Sequence, residues 1–188
     1  MDVDARGWLT AARRQPSANF NQRPRGVAVD LLVVHGISLP PGRFGGPAIE
    51  ELFTNRLDCS DPLLASLEGV RVSAHFLIRR DGELVQFVSC LDRAWHAGAS
   101  SFQGREGCND YSVGIELEGT DWQPYSAAQY RRLAALAAAL QRRFPALTPE
   151  RMVGHADVAP GRKTDPGPAF DWMHFRQLLE RSGEQGRP

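Results

Sequence analysis

The chain has 188 residues, 42% of them hydrophobic and 23% charged, ordinary values for one folded domain with a real core. Lysine plus arginine balances aspartate plus glutamate at 22 each, which excludes a net positive field for nucleic acid or an anionic membrane. No run approaches the ~20 apolar residues of a membrane span, the N-terminus lacks the basic-then-apolar pattern of a secretory signal, and three cysteines without CxxC spacing argue against a disulfide framework, so a cytosolic protein with reduced thiols is expected.

In chain order, residues 3–14 read as a short helix carrying Trp8 and Leu9. Residues 27–34 are β-branched and apolar and read as a strand buried on both faces, closed by His35-Gly36. Pro40-Pro41-Gly42 and Gly45-Gly46-Pro47 bracket a stiff loop. Pro47 suits the first turn of a helix through Ile49, Leu52 and Phe53. Residues 72–78 and 84–88 flank Asp81-Gly82, a hairpin signal. Trp95-His96-Ala97-Gly98 and the polar residues 99–110 are loops, and 111–117 is another strand. Ser126, with Gln129 three residues on, opens an alanine-rich amphipathic helix as a capping box. Met152 and Val153 form a short strand delivering His155. Residues 171–179 form a last helix, with Phe175, Leu178 and Leu179 inward. The fold class is α/β: a single domain over 1–188 with a central mixed β-sheet flanked by helices.

The chemistry concentrates near the C-terminus. Residues 154–168 hold His155, Lys163 and Asp165 on a Pro/Gly-rich loop that suits a site better than a core. His35 ends the first buried strand. Two histidines and one aspartate are three protein ligands, the count a catalytic zinc uses while leaving one position open. Iron(II) with two His and a carboxylate is the competing metal. Glu116 and Glu118 share a face of their strand. Glu116, which follows Gly114-Ile115, could be a partly desolvated general base, or both could lie on the solvated face of an edge strand. A paired-carboxylate glycosidase would use them too, but it leaves His35 and the His155–Asp165 loop unexplained. Lys163 suits a fixed positive charge for an oxyanion. His75 could orient another group or line a pocket, Trp95 and His96 could pack a substrate or cover the sheet, and His174 reads as helix packing.

Taken together, these residues resemble the zinc-dependent N-acetylmuramoyl-L-alanine amidases, the superfamily that includes phage T7-type lysozyme and peptidoglycan recognition proteins. The matching pieces are Leu-Val-Val-His at 32–35, Val-Ser-Ala-His at 72–75, Ile-Arg-Arg-Asp-Gly-Glu at 78–83, Ala-Trp-His-Ala-Gly at 94–98, Gly-Ile-Glu-Leu-Glu-Gly at 114–119, Gly-His at 154–155 and Lys-Thr-Asp-Pro-Gly-Pro at 163–168. Asp165, where several relatives carry cysteine, and Ile-Ser-Leu-Pro-Pro-Gly at 37–42 point to the cytosolic branch acting on anhydro-muropeptides.

The resemblance implies that His35, His155 and Asp165 bind Zn²⁺, that Glu116 is the general base or acid, and that Lys163 steadies the tetrahedral intermediate. It implies substrate contacts at Arg71, His75, Trp95 and Arg105. Arg71 would meet a peptide carboxylate. Gly107 stands where some relatives would carry a charge, which would leave one peptide contact absent or pass it to Arg105. The implied partner is a small anhydro-muropeptide, with no nucleic acid, membrane or protein partner. The implied role is peptidoglycan recycling, with an indirect influence on β-lactamase induction. Two alternatives stay open: an autolysin acting on polymeric wall, and a muropeptide-binding module without catalysis. A binder could lose Glu116, Lys163 or Asp165, and this chain has all three.

Overall fold

The computed structural model describes residues 1–184. Its strands are β1 (Arg13–Arg14), β2 (Phe20–Gln22), β3 (Leu31–Ile37), β4 (Phe76–Ile78), β5 (Leu84–Gln86), β6 (Asp92–Ala94), β7 (Ser101–Phe102), β8 (Arg105–Glu106), β9 (Ser112–Glu118) and β10 (Met152–Gly154). Its helices are α1 (Ala48–Phe53), α2 (Ala127–Arg143), α3 (His155–Val158) and α4 (Trp172–Glu184). Six strands form one sheet in the order β1-β5-β4-β9-β3-β10. β4, β9, β3 and β10 run parallel, and β5 pairs antiparallel with β4. This is the expected mixed sheet.

The period of two along each strand sorts the two faces. Leu32 and Val34 on β3, with Val113, Ile115 and Leu117 on β9, point into one core. Leu133, Leu136, Ala137 and Leu140 of α2 and Phe175 and Leu179 of α4 close that core. The alternate residues point the other way: Leu31, Val33 and His35 on β3; Ser112, Gly114, Glu116 and Glu118 on β9. On that face α1 packs Ile49, Leu52 and Phe53 against Leu77 and Val85. Further along that face Leu31 and Val33 pack with Ala97, Cys108, Tyr111 and Val158, while His35 and Glu116 are buried polar residues of the same face.

The hairpin and the capping box are as expected. Ile78 pairs with Leu84 across the Asp81-Gly82 turn, and Gly82 sits at φ +88. Ser126 Oγ accepts the Gln129 N–H at 3.1 Å while Gln129 Oε1 accepts the Ser126 N–H at 3.0 Å.

Three expectations need correction. Residues 3–14 are not helical. The Asp4 carboxylate accepts the N–H groups of Arg6 and Trp8, both at 2.8 Å, and Gly7 sits at φ +78. A short acceptor side chain competing for backbone donors builds a turn instead of a helix. The first buried strand starts later and runs further, from Leu31 through His35 to Ile37, because Val27 is held in a turn onto the Pro24 carbonyl. β9 is central, between β4 and β3, so Glu116 and Glu118 are not on a solvated edge.

Cys59, Cys90 and Cys108 are free thiols. Among the described residues, no helix is long and apolar enough to cross a membrane.

Candidate active site

The C-terminal ends of the parallel strands meet in one place, where open α/β sheets place ligands. β3 delivers His35 and β9 delivers Glu116; the two are register partners. β10 ends at Gly154, and His155 opens α3. The Asp157 carboxylate accepts the Gly154 N–H at 2.7 Å and fixes that turn. Asp165 returns on the following loop, where its carbonyl accepts the Ala156 N–H at 2.9 Å.

The three expected ligands converge. His35 Nδ1 lies 2.9 Å from His155 Nδ1. Asp165 Oδ2 lies 3.2 Å from His35 Nδ1 and 3.1 Å from His155 Nδ1. Ligands bonded to a tetrahedral zinc at 2.0–2.1 Å stand about 3.3 Å apart, so these three atoms can share one such ion. Among the described residues they form the cluster able to hold a metal. Burial, outweighing the adjacent carboxylate, pushes His35 down to about 4. It is therefore a neutral imidazole near neutrality, the form that ligates. Burial works against the Asp165 carboxylate too, but hydrogen bonds and charge from His155 and His35 hold it below the usual range. The neutral imidazole of His35, the second imidazole of His155 and an ionised carboxylate are a donor set that fits zinc.

Glu116 is 9% exposed, and its Oε2 is buried without a partner. Burial, reinforced by the nearby Asp165 and opposed by Lys163, pushes its carboxyl well above the usual range. A buried, unpaired carboxylate oxygen beside a metal-ligand set is poised to accept a proton.

Glu118 has a different task. Its Oε1 accepts the Gly45 N–H at 2.6 Å, its Oε2 accepts the Arg80 N–H at 3.2 Å, and Arg79 approaches at 3.4 Å. It ties the 38–47 loop and the β4–β5 turn to β9.

A cleft of about 190 Å³ opens onto the ligands. It is lined by Ile37, Phe53, Val72, Trp95, Glu116 and Lys163, together with the three ligands. The Trp95 indole N–H donates to Asn21 Oδ1 at 2.8 Å, fixing that wall. Lys163 is exposed, and it is the one lysine among the 22 basic residues.

Other substrate assignments fall elsewhere. Arg71 lines an adjoining pocket of about 290 Å³ with Asn55, Asp58 and Glu68. His75 lies beneath the cleft floor, fully buried. Its Nδ1 accepts the Gly114 N–H at 3.0 Å, and its Nε2 lies 3.1 Å from the Asp92 carbonyl. Burial, with the Arg23 guanidinium nearby, pushes it down to about 3. It holds the sheet and does not line the cleft, which corrects its substrate-binding role. Arg105 pairs with Asp30 at 3.2 Å and stacks on Tyr111 at 3.7 Å, and is not among the residues lining the cleft.

Sequence reasoning missed Arg162, which donates to the carbonyls of Ala97 (2.5 Å) and Ala99 (2.7 Å). It read His96 as packing a substrate or covering the sheet, and did not foresee its contacts with His35 and Ser112.

The sequence model of the N-acetylmuramoyl-L-alanine amidase family matches residues 21–168. The chain belongs to that family. The amidase is 57% identical to the 1,6-anhydro-N-acetylmuramyl-L-alanine amidase AmpD of Citrobacter freundii, over 95% of this chain and 96% of that one. It superimposes on the crystal structure of a selenomethionine AmpD derivative with a TM-score of 0.92 at 57% identity, covering 95% of this chain and 99% of that one. A more distant likeness is the Escherichia coli amidase AmiD, solved with the substrate anhydro-N-acetylmuramic acid-L-Ala-D-γ-Glu-L-Lys. There the TM-score is 0.60 at 31% identity, covering 84% of this amidase and 60% of that chain.

Proposed function

We propose that this amidase hydrolyses the bond between the lactyl group of (anhydro-)N-acetylmuramic acid and the first L-alanine of its stem peptide, with zinc held by His35, His155 and Asp165. The observation that carries the reading is the convergence of those three donor atoms beside the unpartnered Glu116 oxygen. The likeness to AmpD over nearly the whole chain supports it.

Bound zinc supplies a Lewis acid and an acidified water at neutral pH. Glu116 takes a proton from the attacking water, since burial has already raised its affinity for one. It returns that proton to the departing amine. An unprotonated amide nitrogen is a poor leaving group, so this return of the proton matters as much as the attack. Lys163 places its ammonium at the cleft, where negative charge develops on the substrate carbonyl oxygen. Ile37, Phe53, Val72 and Trp95 exclude water from the reacting amide. Arg71, in the adjoining pocket, is assigned to a carboxylate of the stem peptide.

The substrate class is small anhydro-muropeptides, and the place of action is the cytosol, in peptidoglycan recycling. The substrate bound to AmiD is of that class. The test compares soluble anhydro-muramyl tripeptide with insoluble sacculi at equal stem-peptide concentration, with products read by mass spectrometry. The tripeptide is cleaved far faster. Equal rates, or faster release from sacculi, would make the enzyme an autolysin. A cleaved sugar linkage would overturn the amidase chemistry.

A further inference from the structure

His96 is half-buried on the lining of the cleft, against His35, and neither the base nor the oxyanion role uses it. Its Nδ1 lies 2.9 Å from His35 Nε2, and its Nε2 lies 3.1 Å from Ser112 Oγ. The two rings meet edge to face, with centroids 5.0 Å apart. We propose that His96 is a positioning residue that holds the proton of His35 on Nε2 and leaves His35 Nδ1 free to ligate. The proposal rests on the zinc reading given above.

Proton accounting along the chain of contacts leads there. His35 Nδ1 faces Asp165 and His155, so it ligates only with its lone pair free. A neutral His35 must then carry its proton on Nε2. The partner of Nε2 is His96 Nδ1, which must accept. His96 consequently carries its own proton on Nε2 and donates it to Ser112 Oγ. Without this relay His35 has a competing arrangement, with Nδ1–H donated to Asp165 Oδ2 at 3.2 Å. That tautomer blocks the ligand atom.

The ring of His96 is held for this task. A Cβ at Gly114 would overlap it, so β9 is bare beneath the imidazole. The backbone N–H groups of His96 and Ala97 both donate to Asn109 Oδ1, at 3.1 and 2.8 Å. The same short segment serves the second histidine: the Ala97 carbonyl lies 3.2 Å from His155 Nε2 and accepts its proton. Residues 96 and 97, clamped by Asn109, thus set the far nitrogens of both ligands. Such outer partners orient a ligand and raise its basicity.

The experiment compares His96→Asn with His96→Leu. The two side chains have nearly the same shape, but asparagine can place a carbonyl oxygen where Nδ1 stands. Zinc dissociation constants are measured by chelator competition, alongside ¹⁵N spectra of the ring nitrogens in zinc-free wild-type protein. The expected result is zinc bound roughly 10–100-fold more weakly by His96→Leu, near-native affinity in His96→Asn, and a proton on Nε2 of His35. Equal affinities in the two variants, or a proton on His35 Nδ1 in the wild type, would overturn the proposal. Should His96→Leu fail to fold, the wild-type spectrum decides. Failure of the wild type to take up zinc would instead count against the ligand set, which the tautomer measurement does not require.

Discussion

His35 and Glu116 stand opposite one another in the ladder between β3 and β9. The proposed metal ligand and the proposed base are therefore spaced by main-chain hydrogen bonds, at the ~4.8 Å strand separation, and not by each other's side chains. Glu116→Ala should keep its zinc while turnover falls by about 10²–10⁴. Elemental analysis and single-turnover rates on the same preparation check this. Loss of zinc in that variant would show that the two roles are not separable.

Glu118 should behave differently although it is two residues away on the same face. It is buried, paired with Arg79, and accepts two backbone N–H groups. Removing one partner of a buried ion pair costs about 3–5 kcal/mol. Glu118→Ala should lower denaturant stability on that scale, with a smaller loss of turnover per folded molecule than Glu116→Ala. The reverse order of effects would mean that Glu118 is the catalytic carboxylate.

The wild-type chain should bind one zinc, and chelation should abolish hydrolysis until Zn²⁺ is restored. His155→Ala or Asp165→Ala leaves two ligands and should empty the site at ordinary zinc concentrations. Full occupancy in either variant, measured after dialysis, would remove that residue from the ligand set.

Burial of Glu116 should register in the pH dependence of stability. Below its ordinary value near 4.5, folded and unfolded chains both carry the proton, and the group contributes nothing. As pH rises past that point the unfolded chain releases its proton first, so the folded state binds more protons and loses stability. The loss grows until Glu116 itself ionises. In zinc-free protein, Glu116→Gln should therefore gain melting temperature relative to wild type from pH 4.5 upward, by about 2–4 °C per kcal/mol. Melts across pH in chelator test the sign. A difference that stays flat with pH would place the carboxyl at its ordinary value.

Lys163→Ala should lower kcat more than it raises KM, because negative charge on the carbonyl oxygen develops mainly in the transition state. Steady-state kinetics on the soluble substrate separate the two constants. A pure KM effect would make the ammonium an anchor for a ground-state carboxylate.

The three residues whose donor atoms converge stood out because each sits next to a local signal: His35 after an apolar strand, His155 after another, Asp165 on a Pro/Gly loop. The hairpin and the α2 cap were legible for the same reason. What was not legible depends on partners distant in the chain. Periodicity put Glu118 and Glu116 on one face and the resemblance singled out Glu116; the tying role of Glu118 needs Gly45 and Arg79 beside it. His96 has no meaning until β3 and β9 bring His35 and Ser112 to its two nitrogens. The pairing of Arg105 with Asp30 was not legible because Asp30 lies 75 positions away. The expected N-terminal helix gives way to a local preference, that of the Asp4 carboxylate for turn N–H groups.

The cleft's sole lysine bears on how the protein can be handled at the bench. Apart from the terminal amine, Lys163 is the one primary amine in the chain, and it stands exposed where the substrate would react. Coupling to an amine-reactive surface, acetylation or reductive methylation would fall on the amine proposed for catalysis. Immobilisation should go through a terminal tag. The same selectivity makes a single isotopic methyl probe on Lys163 a direct reporter of substrate arriving in the cleft.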